Sequence, residues 1–223
     1  MSKKQKLTIA VLGSHSALDV CRGAKDEGFN TLVVAEKGRD KTYAKYFKTH
    51  GTLGCVDEII YVDKFKDVIK PEIQKKLLKK NSIFIPHRSF EVYINNYDSI
   101  EKDFKVPIFG NKYLLRTEER TEKVNQYTIL KKAGIKYPMF FNKPQNIDRL
   151  VIVKAQQKKV SFERGFFFAA NSKDFERESQ KRIKSGIISK KSLEEAVIEE
   201  FIVGTAVNFN FFYSPINHRL ELI

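Results

Sequence analysis

The chain has 223 residues, of which 42% are hydrophobic and 30% charged, with a formal net charge of +14 at pH 7. That length and apolar content support one good core or two modest ones, and no stretch reaches the roughly 18 apolar residues of a membrane helix, so a soluble, cytoplasmic protein is expected. The positive surplus attracts polyanions, but its lysines are scattered over helical stretches (Lys75, Lys76, Lys79 and Lys80; Lys131 and Lys132; Lys190 and Lys191) rather than interleaved with aromatics on one binding module, which disfavours a nucleic-acid partner.

The basic start, Met1-Ser-Lys-Lys-Gln-Lys6, runs directly into a strand-like segment, without the apolar region or cleavage site of a signal peptide. Leu7-Thr-Ile-Ala-Val-Leu12 is a continuous apolar run ending in Gly13-Ser14-His15, and Ser16-Ala-Leu-Asp19 offers a capping box that opens a helix. Cys21 shares the apolar face of that helix with Leu18. Neither it nor Cys55 has metal-ligand spacing, so both read as buried structural thiols. Thr31–Val34, Glu58–Val62 and Ser82–Pro86 repeat the buried-strand pattern, with a helix over Lys66–Lys79 between the last two, and Pro107–Gly110 reads as a further strand. Strands alternating with helices predict an α/β fold whose N-terminal part is a doubly wound parallel sheet, closing near residue 115.

A polar helix over Thr117–Ala133, ended by Gly134, reads as a linker. Beyond Pro138 the pattern changes to longer strands with antiparallel-looking alternation: Arg149–Lys154, Gly165–Ala169, Ala196–Ile202, Ala206–Tyr213 and Arg219–Ile223. Helices over Ser172–Lys184 and Ser192–Ala196 lie among them, so this second part is α+β. The expected divisions are residues 1–115, a linker over 116–137, and 138–223, and the last strand is expected to belong to a domain that continues past Ile223.

Three constellations bear chemistry. Ser14, His15 and Ser16 stand at the carboxyl end of the first strand, where open parallel sheets bind ligands and where a helix N-terminus presents N–H groups to an anion. The simpler alternative makes Ser16 a helix cap and His15 a loop residue. Pro86-His-Arg-Ser-Phe90 occupies the same position after another strand. His87 and Ser89 then either face the crevice or satisfy their own loop, and a hydrolase triad is disfavoured because no Gly-x-Ser-x-Gly elbow is present. In the second part, Lys154 at a strand end can reach phosphates, and Val197-Ile-Glu-Glu-Phe-Ile-Val-Gly204 can offer backbone groups to an adenine edge. Both also read as plain exposed strand ends.

Taken in order, Leu12-Gly-Ser-His-Ser16, Lys37-Gly-Arg-Asp40, Asn81-Ser-Ile-Phe-Ile-Pro-His-Arg-Ser-Phe90, Ile108-Phe-Gly-Asn111, Val151-Ile-Val-Lys154, Ile198-Glu-Glu-Phe-Ile-Val-Gly204 and Phe212-Tyr-Ser-Pro215 resemble the archaeal formate-dependent 5-formaminoimidazole-4-carboxamide ribonucleotide synthetases, a family of ATP-grasp ligases of purine (IMP) biosynthesis. The resemblance implies a substrate-binding pre-ATP-grasp domain over 1–115 and the first part of an ATP-grasp domain over 138–223. It also implies a reaction in which ATP phosphorylates formate and the 5-amino group of the aminoimidazole carboxamide ribonucleotide attacks the formyl phosphate. His15 and Ser89, with Ser14 and Ser16, would bind the ribonucleotide. Lys154 would touch the ATP phosphates, and Glu199, Glu200 and Ile202 would frame the adenine. Mg²⁺ ligands are expected past Ile223, with a homo-oligomer or a separate chain as ways to complete the ATP site.

Two departures mark this chain. The segment Ala155-Gln-Gln-Lys-Lys-Val-Ser-Phe-Glu-Arg164 is poor in glycine where the family has a phosphate lid, leaving Lys158, Lys159 and Arg164 to contribute charge, and Arg88 stands where the family has glycine. A non-ligating paralogue with a nucleotide crevice and a basic nucleic-acid-binding protein are the alternative readings.

Overall fold

Four short strands, β1 (Thr8–Leu12), β2 (Asn30–Glu36), β3 (Glu58–Val62) and β4 (Ser82–Ile85), lie parallel in the order β3-β2-β1-β4. They organise the first of two units, Met1–Ile129, in a computed structural model that describes residues 6–118, 122–155 and 165–222. Period-two alternation explains why the strands read as unbroken apolar runs. Ala10, Leu12, Leu32 and Val34 bury into one cluster with Phe65, Phe84, Phe90, Ile100 and Phe104. Val11, Val33 and Ala35 bury into another with Ala17, Cys21, Cys55 and Val56. Both faces are covered, as in a doubly wound sheet. The two thiols are free and buried, and burial, reinforced by Cys55 and Asp57 nearby, pushes the Cys21 thiol up to about 12.

Helix α1 (Ala17–Asp26) covers the second cluster. The stretch expected as one helix over Lys66–Lys79 is instead a 3₁₀ turn, Phe65–Ile69, followed by α2 (Pro71–Lys79). Pro71 holds Lys70 extended (ψ 139°), which stops the first helical segment, and then serves as the first helical residue of the next. After β4 come α3 (Arg88–Ile94) and α4 (Tyr97–Lys102). The expected strand over Pro107–Gly110 reduces to a parallel bridge between Phe84 and Ile108, because Pro107 has no N–H and Gly110 turns away at φ 85°. The expected helix over Thr117–Ala133 is likewise divided. A 3₁₀ segment, Lys112–Glu118, precedes α5 (Gln126–Lys132), which Asn125 opens by accepting the Tyr127 and Thr128 N–H groups at 3.0 and 3.1 Å. Helix α5 straddles the boundary between the units.

In the second unit, Leu130–Ile223, β5 (Phe140–Phe141), β6 (Val151–Lys154), β7 (Phe166–Ala169) and β8 (Val197–Glu200) form an antiparallel sheet in the order β5-β8-β6-β7. The 13-residue helix α6 (Ser172–Lys184), opened by Asn171, presses Phe175 onto Val151, Val153, Phe167 and Ile198. Helix α7 (Lys190–Glu194) begins two residues earlier than expected because Ser189 caps it. The long strand expected over Ala206–Tyr213 shortens to β9 (Phe211–Ser214), which among the described residues pairs only with β10 (Arg219–Leu222). Among the described residues no helix is long and apolar enough to cross a membrane.

Candidate functional site

The order β3-β2-β1-β4 makes the chain reverse direction across the sheet at β1, since β2 lies on one side of it and β4 on the other. A crevice forms outside the carboxyl ends of strands at such a reversal. The loops that follow β1 and β4 therefore meet. Gly13 allows the first of them: a Cβ there would lie 2.9 Å from the Tyr43 ring and 3.0 Å from Val33. His15 follows at φ 44°, in the left-handed region that non-glycine residues adopt sparingly and that accumulates at functional sites.

From the β4 side, His87 reaches the carbonyl of Leu12 with Nε2 at 2.9 Å, while its Nδ1 receives the Ser89 N–H at 3.2 Å and so caps α3. A carbonyl only accepts and an amide N–H only donates, which fixes the imidazole as the neutral Nε2–H tautomer. Burial holds its pKa below the ordinary histidine value, with the neighbouring His15 acting in the same direction and the Leu12 carbonyl opposing. The His15 and His87 rings stack at 5.8 Å, and the Ser89 hydroxyl donates to that of Ser14 at 3.2 Å. His15, Ser14 and Ser89 are thus brought together. Ser16 differs from its expected role: its side chain makes no cap to α1, because its hydroxyl is bonded to His15 Nδ1 at 2.6 Å. Arg88 points its guanidinium to Glu118 at 2.6 Å and Glu91 at 3.6 Å, so carboxylates of its own unit take the charge.

Two further residues complete this rim. Arg39, on the turn after β2, donates to the Tyr93 hydroxyl at 3.0 Å and lies over the Phe65 ring at 4.9 Å. The Arg39 hydrogen bond, joined by one from Ser14, draws the Tyr93 pKa below the usual tyrosine range. Tyr93 was findable: four residues after Ser89 on α3, it occupies the same helix face. Arg39 becomes meaningful only once β2 is known to lie beside β1.

In the second unit, antiparallel register decides which candidates meet. Ile152 lies opposite Glu199, and Lys154 is its diagonal neighbour on the same face, where its Nζ sits 2.5 Å from the Glu199 carboxylate. The core takes Val151, Val153 and Phe167, so the alternation leaves Ile152, Phe166 and Phe168 beside the pair on the other face. Phe168 meets Phe201 edge-on at 4.8 Å. This apolar face was not anticipated, although Gly-Phe-Phe-Phe-Ala carried the signal. Glu200 is not part of it. Its carboxylate accepts the Met139 N–H at 3.1 Å and pairs with Arg149 at 3.2 Å, and these bonds hold it below the ordinary glutamate range. Ile202 lies past the ladder and is exposed. The glycine-poor segment, with Lys158, Lys159 and Arg164, lies outside the described residues. Among the described residues no three His, Cys, Asp or Glu side chains gather in a way that holds a metal ion.

A family model described as "Protein of unknown function (DUF1246)" matches residues 9–141, and one described as "Domain of unknown function (DUF1297)" matches 174–223. The chain is 40% identical over 219 residues to the 5-formaminoimidazole-4-carboxamide-1-(beta)-D-ribofuranosyl 5'-monophosphate synthetase of Methanopyrus kandleri, aligning 98% of this chain with 58% of that protein. The synonymous protein of Methanocaldococcus jannaschii is 40% identical over 220 residues, with 99% and 58% covered. The chain therefore spans little more than half the length of these curated relatives. Among solved structures, an N5-carboxyaminoimidazole ribonucleotide synthetase in its ADP complex superimposes with a TM-score of 0.60 at 13% identity, covering 98% of this chain and 52% of that one. The Staphylococcus aureus N5-carboxyaminoimidazole synthetase with ADP gives 0.58 at 16% identity, over 97% and 53%. The chain shares the fold of the matching part of these two synthetases.

Proposed function

The chain belongs to the DUF1246 family, and on that premise we propose that it carries the ribonucleotide crevice and part of the ATP site of a cytoplasmic ligase that formylates 5-aminoimidazole-4-carboxamide ribonucleotide in purine biosynthesis. The observation that carries this reading is the convergence of Ser14, His15 and Ser89 at the strand-order reversal, with His87 fixing one loop to the other. Hydroxyl and imidazole groups there suit a carboxamide, which needs both donors and acceptors. The names of the relatives, which specify a synthetase of the formylated ribonucleotide, support the same substrate.

Bound ATP would supply the phosphoryl group that activates formate for attack by the 5-amino group, with a C–N bond formed and phosphate released. The residues of this chain bind and orient. Ser14, His15 and Ser89 hold the carboxamide so that the adjacent amine has one direction of approach, the positional contribution that dominates such reactions. Lys154 would receive phosphate oxygens, and the Ile152, Phe166 and Phe168 face would take the adenine. The described residues do not fit a Mg²⁺ site, so we place the metal ligands outside them.

Calorimetric titration of the chain with the aminoimidazole carboxamide ribonucleotide tests this. Saturable binding is expected, weakened about tenfold in His15→Ala, as for one lost hydrogen bond, with the thermal midpoint of the free variant unchanged. Absence of binding in a folded chain would remove the reading, and unchanged affinity in His15→Ala would remove His15 from it.

A further inference from the structure

Arg39 makes no ion pair with a carboxylate among the described residues, yet it is held on two sides. Its position is set from the backbone outward. The Arg39 N–H donates to the Glu36 carbonyl at 3.0 Å, closing a tight turn in which Gly38 has φ 85° and donates its own N–H to Asp40. The neighbouring Lys37 is tied to Asp63 at 2.6 Å, which leaves Arg39 as the cation of this turn without a carboxylate partner. Its guanidinium lies over Phe65, a residue fully buried in the core, and bonds the Tyr93 hydroxyl on α3.

The hydrogen-bond directions around Tyr93 extend the point. Ser89 donates to the Ser14 hydroxyl, and Arg39 donates to the Tyr93 oxygen. The phenol oxygen accepts from the guanidinium, and its own proton remains to be donated. A guanidinium held in place by stacking and a phenol O–H polarised by that guanidinium then stand on the same rim as Ser14. Fixed guanidinium forks bind phosphate oxygens bidentately.

We propose that Arg39 and Tyr93 form the seat for the 5'-phosphate of the ribonucleotide, and so make the site select nucleotide over nucleoside. This rests on the ribonucleotide crevice proposed above and assigns to it the part that recognises charge.

The test is a set of titrations of the full chain with the aminoimidazole carboxamide ribonucleotide, its unphosphorylated nucleoside and ribose 5-phosphate. The unaltered chain is expected to prefer the nucleotide about 100-fold over the nucleoside. Arg39→Ala should weaken nucleotide and ribose 5-phosphate about 10- to 100-fold, the range for charge-assisted hydrogen bonds, while leaving the nucleoside unchanged. Tyr93→Phe, which keeps the ring and so guards against a folding defect, should give a smaller loss of the same kind. A nucleotide preference that survives in Arg39→Ala would overturn the seat and leave the ribonucleotide reading in place. Equal losses for nucleotide and nucleoside would also overturn it, by reducing Arg39 to a structural role. Ribose 5-phosphate binding that depends on Arg39, with no gain from the base, would uphold the seat and overturn the ribonucleotide reading. No binding of any of the three would overturn both.

Discussion

The two units solve the problem of holding polar groups ready in opposite ways. In Met1–Ile129 the proposed site lies in loops beyond the strand ends, and hydrogen bonds that involve no carboxylate tie it down: His87 to Leu12, Ser89 to Ser14, Arg39 to Tyr93. In Leu130–Ile223 the candidate residues stand on the sheet itself, and the cation is already matched with Glu199 at 2.5 Å. The first arrangement leaves donors uncommitted, so an anion can bind without displacing a protein group. The second must exchange one partner for another. A preorganised crevice gains affinity directly, whereas a self-paired lysine gives up part of its interaction with a phosphate to the carboxylate it leaves.

The largest expected effect tests whether the first unit's loops owe their order to the core beneath them. Phe84 is fully buried on β4 and contacts Phe90 of α3 and Phe104, with ring centroids at 4.9 and 5.3 Å. Phe84→Ala should cost about 3–5 kcal/mol in denaturant unfolding. Hydrogen exchange should show protection lost over β1 to β4 while β6 to β8, with their own core, keep theirs. Equal loss in both sheets would mean that the two cores unfold as one.

A smaller effect sharpens the contrast from the other side. Replacing Glu199 by Gln keeps its shape but removes the charge that occupies Lys154. With the lysine side chain a third exposed, stability should fall by only about 1–2 kcal/mol, while affinity for an adenine nucleotide rises as the ammonium is freed. Stability and affinity moving in opposite directions would establish Lys154 as a held-back phosphate ligand. A simultaneous fall would make the pair purely structural.

Much of the fold was legible because both faces of the parallel sheet are buried, so β1, β2 and β4 appear as uninterrupted apolar runs. The antiparallel sheet was read from its alternation for the complementary reason. Pro71 could have warned that a helix over Lys66–Lys79 would break, since the residue before a proline avoids helical geometry. Ser16 misled because a capping box is a statement about local spacing, and the neighbouring imidazole took the hydroxyl instead. His15, Ser14 and Ser89 could be singled out, since strand ends are recognisable. Their junction through His87, and the addition of Arg39, depend on the spatial order of strands, which no local pattern contains. Lys154 and Glu199 were likewise visible as residues but not as a pair, because a diagonal contact exists only once the register between β6 and β8 is set.

The smallest expected effect concerns pH and is confined to the first unit's neutral design. Folding lowers the pKa of His87 from its ordinary value of 6.5. The unfolded chain therefore binds the proton more readily, and stability rises with pH wherever the two states differ in protonation. The contribution of a neutral His87 is complete above pH 6.5, declines as the pH falls below it, and is gone once the lower folded value has been passed. Partial exposure and the opposing pull of the Leu12 carbonyl limit the change to below about 1 kcal/mol. Replacing His87 by Asn retains a side-chain oxygen able to cap α3 through the Ser89 N–H but removes the titrating group and the reach to Leu12. Unfolding measured from pH 7.5 to pH 5 should thus begin from a lower stability in the variant and fall less steeply. If the two slopes coincide, the His87 imidazole is not what makes the first unit acid-sensitive.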